Sequence, residues 1–497
     1  MGVIQRQTLK NNVLAYAAVA IGAVASIWIY PEVPALKGHA DAILKYALLL
    51  TPPLSLAMTV VIGRLSPYYG ENLMETSNRL MARGLLASLG LITFLAVLNL
   101  LVSEHVVEWV ERAGYGVGKF AEYSWHILAI VAFMSSSAMI TAHLANFKRV
   151  AVPVIFNNIF PKVLLPAALL LALYGWLNRA SFSVGLIIIY GSITAGLLLY
   201  ALRLGVFRPN LGKLTLPENS YREMISVAGF GIFGSIGSVL TTHLDTVMVN
   251  GYLGDDLTTV YSFGIFITVL IAIPARGVNA IVRPIVAKAW KERDVEKLAF
   301  LYRESAAVLF AVGGVIFTGI VVCVPYVYQI TAKTSIYATG FWVTVFLGIS
   351  QLFDQMTSIN STLVTYTDYY RWNIVFIVLI GLLNVFFNLY FMEVLALGLN
   401  GAAIATMLSI MTYNVVKGIF IYWKMGVHPL SWSQLFSAVV LFLIGCIAYF
   451  LPLGENVWVN LIVRGGSVVL LSLLYFRFTG AVPPLRNVLT GGMKKMF

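Results

Sequence analysis

Charge is what this sequence has least of. Only 11% of its 497 residues are Asp, Glu, Lys or Arg, where a soluble domain carries about 25%. Hydrophobic residues make up 59%, and the mean hydropathy is +0.86, so the chain is a membrane protein. Long polar stretches are also missing. No gap between apolar runs exceeds about twenty residues, too few for a soluble domain of ordinary size. Cysteine is nearly absent: Cys323 and Cys446 both lie inside apolar runs. That placement excludes a disulfide framework and any metal-ligand spacing, leaving buried filler. The segment "SIWIYPEVP" after the first apolar run lacks a small-residue cleavage site, so that run reads as a retained first helix. The net charge of +12 is dispersed at helix ends, which is orientation chemistry rather than a nucleic-acid surface.

What is present is a series of apolar runs. A helix needs about twenty apolar residues to cross the hydrocarbon core. Runs of that length lie at 12–30, 41–63, 80–102, 123–145, 150–174, 182–204, 223–250, 258–284, 304–325, 338–366, 372–391, 400–423, 432–451 and 457–476. They predict an all-α integral membrane protein with about fourteen transmembrane helices. Placing the N-terminus in the cytoplasm gathers Arg64, Arg79, Arg83, Lys148, Arg149 and Arg203 on the inside, with Lys288, Lys291, Arg293, Lys297, Arg303 and Lys424. The outside then holds only Lys37, Arg112, Lys119, Arg179 and Lys333 beside several acidic residues. This is the positive-inside pattern, with both termini cytoplasmic. The even count fits a duplication of six helices plus six, with two appended: residues 1–210, 211–424 and 425–497. "GRLSPYYGENLMETSNRL" after the second span and "IVRPIVAKAWKERDVEKL" after the eighth each run arginine, proline, polar stretch. Transporter repeats often retain only such weak symmetry.

Ionisable residues inside the spans are functional candidates, because each must be paired or hydrated. They are Lys45, Lys162, Asp245, Arg276, Asp354, Lys417 and Arg464, with His126, His143 and His243. Five cations against two carboxylates suit an anionic substrate, since arginine binds phosphate bidentately. Arg276 sits in "IAIPARGVNAIVRPIVAKAW" between Pro274 and Gly277, about 12 Å from the cytoplasmic end of its span. Lys162 is flanked by Pro161 and Pro166, whose freed carbonyls an ammonium can also satisfy. Lys45 and Lys417 lie close enough to span ends to snorkel. Arg464 falls outside the repeats and reads equally as a groove residue. Asp245 reads as either a functional carboxylate or a solvated outer rim. Asn384 and Asn388 share one helix face, with Ala402 and Thr406 in the next span; amide and hydroxyl oxygens hold helices together or ligate a hard cation. Asn157, Asn158, His243 and Asp354 complete the polar candidates for a cavity.

These residues sit in recognisable surroundings. "MGVIQRQTLKNNVLAYAAVAIG", "GRLSPYY", "YSFGIFITVLIAIPARGVNAIVRPIVAKAWKERDVEKL" and "LNGAAIATMLS" resemble the polysaccharide-transport flippases, most of all the Bacteroidetes-type oligosaccharide flippases of the MOP superfamily. The resemblance spans essentially the whole chain through short, mostly structural motifs. It implies two six-helix lobes around a central cavity that alternates between inward-open and outward-open states, with spans thirteen and fourteen forming a lateral groove for a lipid tail. It implies translocation of undecaprenyl-diphosphate-linked oligosaccharide from the cytoplasmic to the periplasmic leaflet of the bacterial inner membrane. Lipid II flippases, a sister branch, carry a sodium site on helices seven, eleven and twelve. Asp245, Asn384 with Asn388, and Ala402 with Thr406 fall in matching places, except that Asn388 replaces a carboxylate. Proton coupling through Asp245 or His243, or no coupling, therefore stays open beside sodium. The arginine those relatives carry early in helix eight falls at Gly264, so the role of Arg276 is not theirs. The basic residue of span five does recur in the Bacteroidetes-type pattern, which favours Lys162.

The leading expectation is thus a monomeric lipid-linked-oligosaccharide flippase in contact with membrane lipids and a glycan polymerase, with no cofactor beyond a coupling Na⁺ or H⁺. The alternative on the same fold is a MATE-like cation-coupled exporter of small molecules. Such an exporter calls for acidic residues in its cavity, where this chain has a cation excess. A membrane polymerase or glycosyltransferase needs catalytic groups on substantial outer loops. The longest outer loop here, 103–122, shows no acid, base or metal constellation, so no enzymatic activity is expected.

Overall fold

The computed structural model describes residues 20–65, 73–112, 118–147, 149, 151–208, 212, 225, 228–229, 232, 243–331, 334–357 and 359–483. Among these there is no strand, and the protein is an all-α, multi-pass membrane protein. Ten described helices are long and apolar enough to span a membrane, and they coincide with ten of the predicted spans. Of the other four, 12–30 and 223–250 fall partly or largely outside the described residues, and 41–63 and 338–366 are interrupted. The polar stretch at 66–72, used for the duplication, also lies outside them. The chain forms two compact units, Met1–Thr259 and Val260–Phe497.

In the first unit the helices are α1 (Pro34–Leu54), α2 (Met58–Leu65), α3 (Leu73–Arg112), α4 (Gly118–Asn146), α5 (Phe160–Leu173) and α6 (Arg179–Arg203). Helix α4 is the hub, packing against α1, α3 and α6 through a core that includes Ile43, Ile127, Ile130, Leu169 and Phe182. Residues 243–253 form a further helix, followed by α7 (Asp255–Lys291). Gly38 of α1 lies against the start of α7. A Cβ built on it would sit 1.7 Å from the carbonyl oxygen of Asp255, so the close approach requires glycine.

The span predicted at 41–63 is broken, and the sequence "TPPLSLAM" is the reason. Pro52 and Pro53 cannot donate to the preceding turn, and Leu56 (φ 51°) and Ala57 (φ 47°) take left-handed conformations. Irregular backbone is tolerated in a membrane only when its polar groups are satisfied by protein. Here Ser55 Oγ donates to the carbonyl of Pro52 at 3.0 Å, and Ser88 Oγ of α3 donates to that of Leu54 at 2.7 Å. Left-handed backbone costs an L-residue about 1–2 kcal/mol. Ala57→Gly is therefore expected to raise stability by up to about 1 kcal/mol, and Ala57→Val to lower it. Thermal unfolding in detergent measures both.

A second irregularity precedes α5. Residues Ile155–Ile159 form a π turn in which the Phe160 N–H bonds to the carbonyl of Ile155, immediately before Pro161. The wider turn carries Asn157 and Asn158 on its surface. Such π turns recur at functional sites.

The second unit continues α7 and contains α8 (Val295–Ile330), α9 (Phe341–Thr357), α10 (Asn360–Thr365), α11 (Trp372–Asn388), α12 (Gly398–Met425), α13 (Trp432–Tyr449) and α14 (Val457–Thr479). Helix α12 packs on α9 and α11, while α8 packs on α9, α13 and α14. Tyr302, Leu363 and Ile421 lie in one core cluster, and Val322, Leu441 and Val468 in another. The outer faces are apolar too, with Leu382, Phe442 and Ile462 exposed, as a lipid solvent permits.

Candidate functional site

In the first unit, Lys45 does not snorkel to a span end. Its Nζ donates to Nδ1 of His243 at 3.1 Å. An ammonium has no lone pair, so His243 accepts at Nδ1 and is neutral in this pair. The Lys37–Asp41 ion pair lies earlier on the same helix, close enough for both charges to act on Lys45. Asp245, two residues on, is buried rather than a solvated rim. Lys162 lies on α5 against the helical residues 20–24, where a Cβ built on Gly22 would come 3.6 Å from its Nζ. Asn157 is tied to α4: it accepts from Ser137 Oγ at 2.7 Å and donates to Thr141 Oγ1 at 3.0 Å. Asn158 is exposed.

His143 has a structural place. Its Nε2 donates to the carbonyl of Val206 at 3.0 Å, so Nδ1 accepts from Ser77 Oγ at 2.7 Å. His126 lies edge-on to the Tyr123 ring.

One polar cluster of this unit escaped the sequence reading. Lys37 was placed in an outer loop, but α1 begins at Pro34 and buries it in an ion pair with Asp41. His39 bonds Ser183 Oγ at 2.7 Å, and Arg179 bridges His39 Nδ1 (3.3 Å) and Asp255 (2.8 Å). The i, i+4 spacing in "KGHAD" was the available signal. A span beginning at Asp41 leaves Lys37 outside the helix, whereas α1 begins at Pro34.

In the second unit, Asn384 and Asn388 are buried on α11, and Asn388 Nδ2 donates to the Asn384 carbonyl (2.9 Å) and Oδ1 (3.2 Å). On the adjoining α12, Thr406 Oγ1 donates to the Ala402 carbonyl at 3.0 Å and so accepts from Tyr261 OH, also at 3.0 Å. These donors form two buried, internally bonded pairs of neutral oxygens on packed helices. Asp245 belongs to the first unit. The side chain of Arg276 lies outside the described side chains; its backbone is helical within α7.

Lys417 corrects the expectation of snorkelling. It is 1% exposed and donates to Ser361 Oγ at 2.9 Å and Tyr413 OH at 2.5 Å. Its charge also sits over the Tyr413 ring, 4.6 Å from the centroid. Asn414, one turn earlier, donates to Asp354 Oδ1 at 3.1 Å and accepts from Asn360 at 3.4 Å. Asn360 in turn accepts from Tyr302 OH. Lys417 and Asp354 thus belong to two neighbouring polar groups on α8, α9, α10 and α12, with Asp354 exposed.

Arg464, a cavity or groove candidate, makes its hydrogen bonds to protein. Its guanidinium is 6% exposed and caps the end of α13. It donates to the carbonyls of Ala448 (2.8 Å), Tyr449 and Leu451 (3.0 Å), and to Asn460 Oδ1 (2.8 Å). A guanidinium has five N–H groups, and helix ends leave their last carbonyls without partners. The match makes Arg464 a structural clamp between α13 and α14.

No family model matches the sequence, and no curated protein matches it. Solved structures do. A lipid II flippase, MurJ, in an inward closed conformation superposes with a TM-score of 0.70 at 11% identity, over 94% of this chain and 98% of that one. An inward-facing multidrug resistance MATE family transporter of the MOP superfamily gives 0.66 at 15%, over 82% and 94%. A MOP superfamily transporter from Pyrococcus furiosus, described as having a binding pocket of reversed polarity, gives 0.53 at 14%, over 85% and 95%. Identities this low speak for the fold alone, and the fold is that of the MOP-type transporters.

Proposed function

We propose that this chain is a flippase of the polysaccharide-transport type. It would carry undecaprenyl-diphosphate-linked oligosaccharide from the cytoplasmic to the periplasmic leaflet of a bacterial inner membrane by alternating access. The observation that carries this reading is the Lys45–His243 pair on a MOP-type fold: a cation within a membrane span, bonded to an imidazole at 3.1 Å. Electropositive groups at that depth stabilise phosphate oxygens. Lys162 and Arg276 are the further cations assigned to the substrate, and neither the cation excess nor the outer loops favour an enzyme. The MATE-like exporter shares the fold but would need carboxylates to attract cationic cargo.

Vesicles reconstituted with the protein and a fluorescent lipid-diphosphate glycan test the reading. Movement of the glycan between leaflets, slowed in Arg276→Ala and Lys162→Ala, is the expected result. Uptake of small organic cations with no glycan movement would replace the flippase with the exporter.

Coupling is the second question. The second-unit oxygens assigned to a coupling cation are all neutral, and Asn388 supplies an amide rather than a carboxylate. Ligand stabilisation grows as RT ln(1 + [L]/Kd). Sodium at 100 mM is therefore expected to stabilise the protein by less than about 1 kcal/mol over choline. Asn388→Asp is expected to raise that difference to above about 2 kcal/mol. A large sodium effect in the native chain, by thermal unfolding in detergent, would show that the missing carboxylate does not matter.

A further inference from the structure

On the second unit, two cavities run into each other between α8, α9 and α13. One, about 490 Å³, is apolar, with Gly314, Leu441, Phe442 and Gly445 in its wall. The other, about 810 Å³, is also largely apolar, with Met356, Leu430 and Trp432 in its wall, but carries Arg303, His428, Ser431 and Gln434. Phe310 and Ala438 line both, so the polar mouth opens directly into the apolar groove. Arg303 and the 424–431 connection are on the side that the charge bias assigns to the cytoplasm.

The mouth is built for an anion. Arg303 can only donate, so in its 2.9 Å contact His428 accepts at Nε2, which leaves Nδ1–H as a further donor. The N-terminus of α13, an 18-residue helix, faces the same place with Ser431 as its first flanking residue. Gln434 is 4% exposed. Its Oε1 accepts the Ser431 N–H at 3.0 Å, which fixes the amide orientation and leaves Nε2 as the donor end. Nε2 of Gln434 is buried with no hydrogen-bond partner. Buried polar atoms are nearly always paired, so such exceptions call for an explanation. No carboxylate lines the mouth among the described residues.

We propose that this is a binding site for an anionic phospholipid of the cytoplasmic leaflet. Its phosphodiester lies at Arg303, His428, Ser431 and Gln434, and one acyl chain lies in the groove beyond Phe310 and Ala438. Charge selects the occupant. One permanent cation, a helix N-terminus and neutral donors match the single negative charge of a phosphodiester, and basic pockets between helices on this side recognise such headgroups. A diphosphate carrier brings more charge than the mouth balances. The site involves none of the cations assigned to the substrate, although its groove shares α13 with the lipid-tail groove that the resemblance implies.

Native mass spectrometry of the full chain in detergent, titrated with phosphatidylglycerol or phosphatidylcholine, tests this. Phosphatidylglycerol is expected to be retained at least about fivefold more than phosphatidylcholine, as charge-assisted contacts require. Arg303→Gln and Gln434→Leu should each lower that retention about tenfold. Ala438→Phe, which closes the junction between mouth and groove while keeping the headgroup donors, should do the same. Equal retention of the two lipids, or retention unchanged in the variants, would overturn the proposal. So would displacement by glycerol phosphate at similar concentration, which would make the groove irrelevant. Displacement by a polyprenyl diphosphate at lower concentration would overturn it as well, giving the site to the carrier lipid.

Discussion

Arg464→Ala is expected to lower the stability of the protein by about 2–4 kcal/mol, since each hydrogen bond between membrane helices contributes about 0.6–1.7 kcal/mol. Four acceptors lose their donor together: three carbonyls at the end of α13 and Oδ1 of Asn460. The Ala448 and Tyr449 carbonyls cannot find replacements within α13, because a helix has no N–H to offer its last turn, while the Leu451 carbonyl beyond it keeps the Leu453 N–H. Water reaches this end of the helix in part, since Tyr449 and Phe450 are exposed, which keeps the loss below that of a fully buried charge. Arg464→Lys should recover less than half, because an ammonium is a point donor and cannot fork across three carbonyls. The transport rate per folded molecule should stay within about twofold, as it should for any residue that acts through stability alone. Thermal unfolding in detergent beside vesicle transport separates the two roles. A lost rate with unchanged stability would return Arg464 to the substrate path.

Arg464 also marks the boundary of what could be read without coordinates. Run length located ten of the spans, but it carried the second one straight through Pro52 and Pro53, where α1 stops. Spacing on one helix was legible too: Asn384 with Asn388, Tyr413 with Lys417 and Asn460 with Arg464 are all i, i+4 pairs. What composition cannot encode is the partner on another helix. Lys45 meets His243 across 198 residues, and Asn414 meets Asp354 across 60. Those pairings depend on helix rotation and packing, which an almost uniformly apolar sequence specifies weakly, because lipid-facing and core-facing residues look alike. The snorkelling expected of Lys417 failed for the same reason. Distance to a span end was readable, but the hydroxyls of Ser361 and Tyr413 waiting beside it were not.

Lys45→Met is expected to reduce glycan flipping by more than about tenfold, the loss that follows when a hydrogen bond to a charged group, worth about 1.5–3 kcal/mol, disappears from the transported state. Methionine keeps the length and apolar stem of lysine, so the change removes the charge and little else. His243 separates charge from position. In the pair it supplies an acceptor to the ammonium, so His243→Gln, whose Oε1 can accept, should keep most of the rate. His243→Leu leaves the ammonium without that partner and should cost several-fold, chiefly by letting Lys45 drift from its position. His243→Lys places two ammonium groups about 3 Å apart, where their repulsion should both weaken the fold and cut transport. The ranking Gln above Leu above Lys at position 243, with Lys45→Met lowest among folded variants, is the pattern of a cation held in place for an anionic cargo. If Lys45→Met flips glycan at the native rate in vesicles, the charge at this site is structural, and the substrate path must run through Lys162 or Arg276 instead.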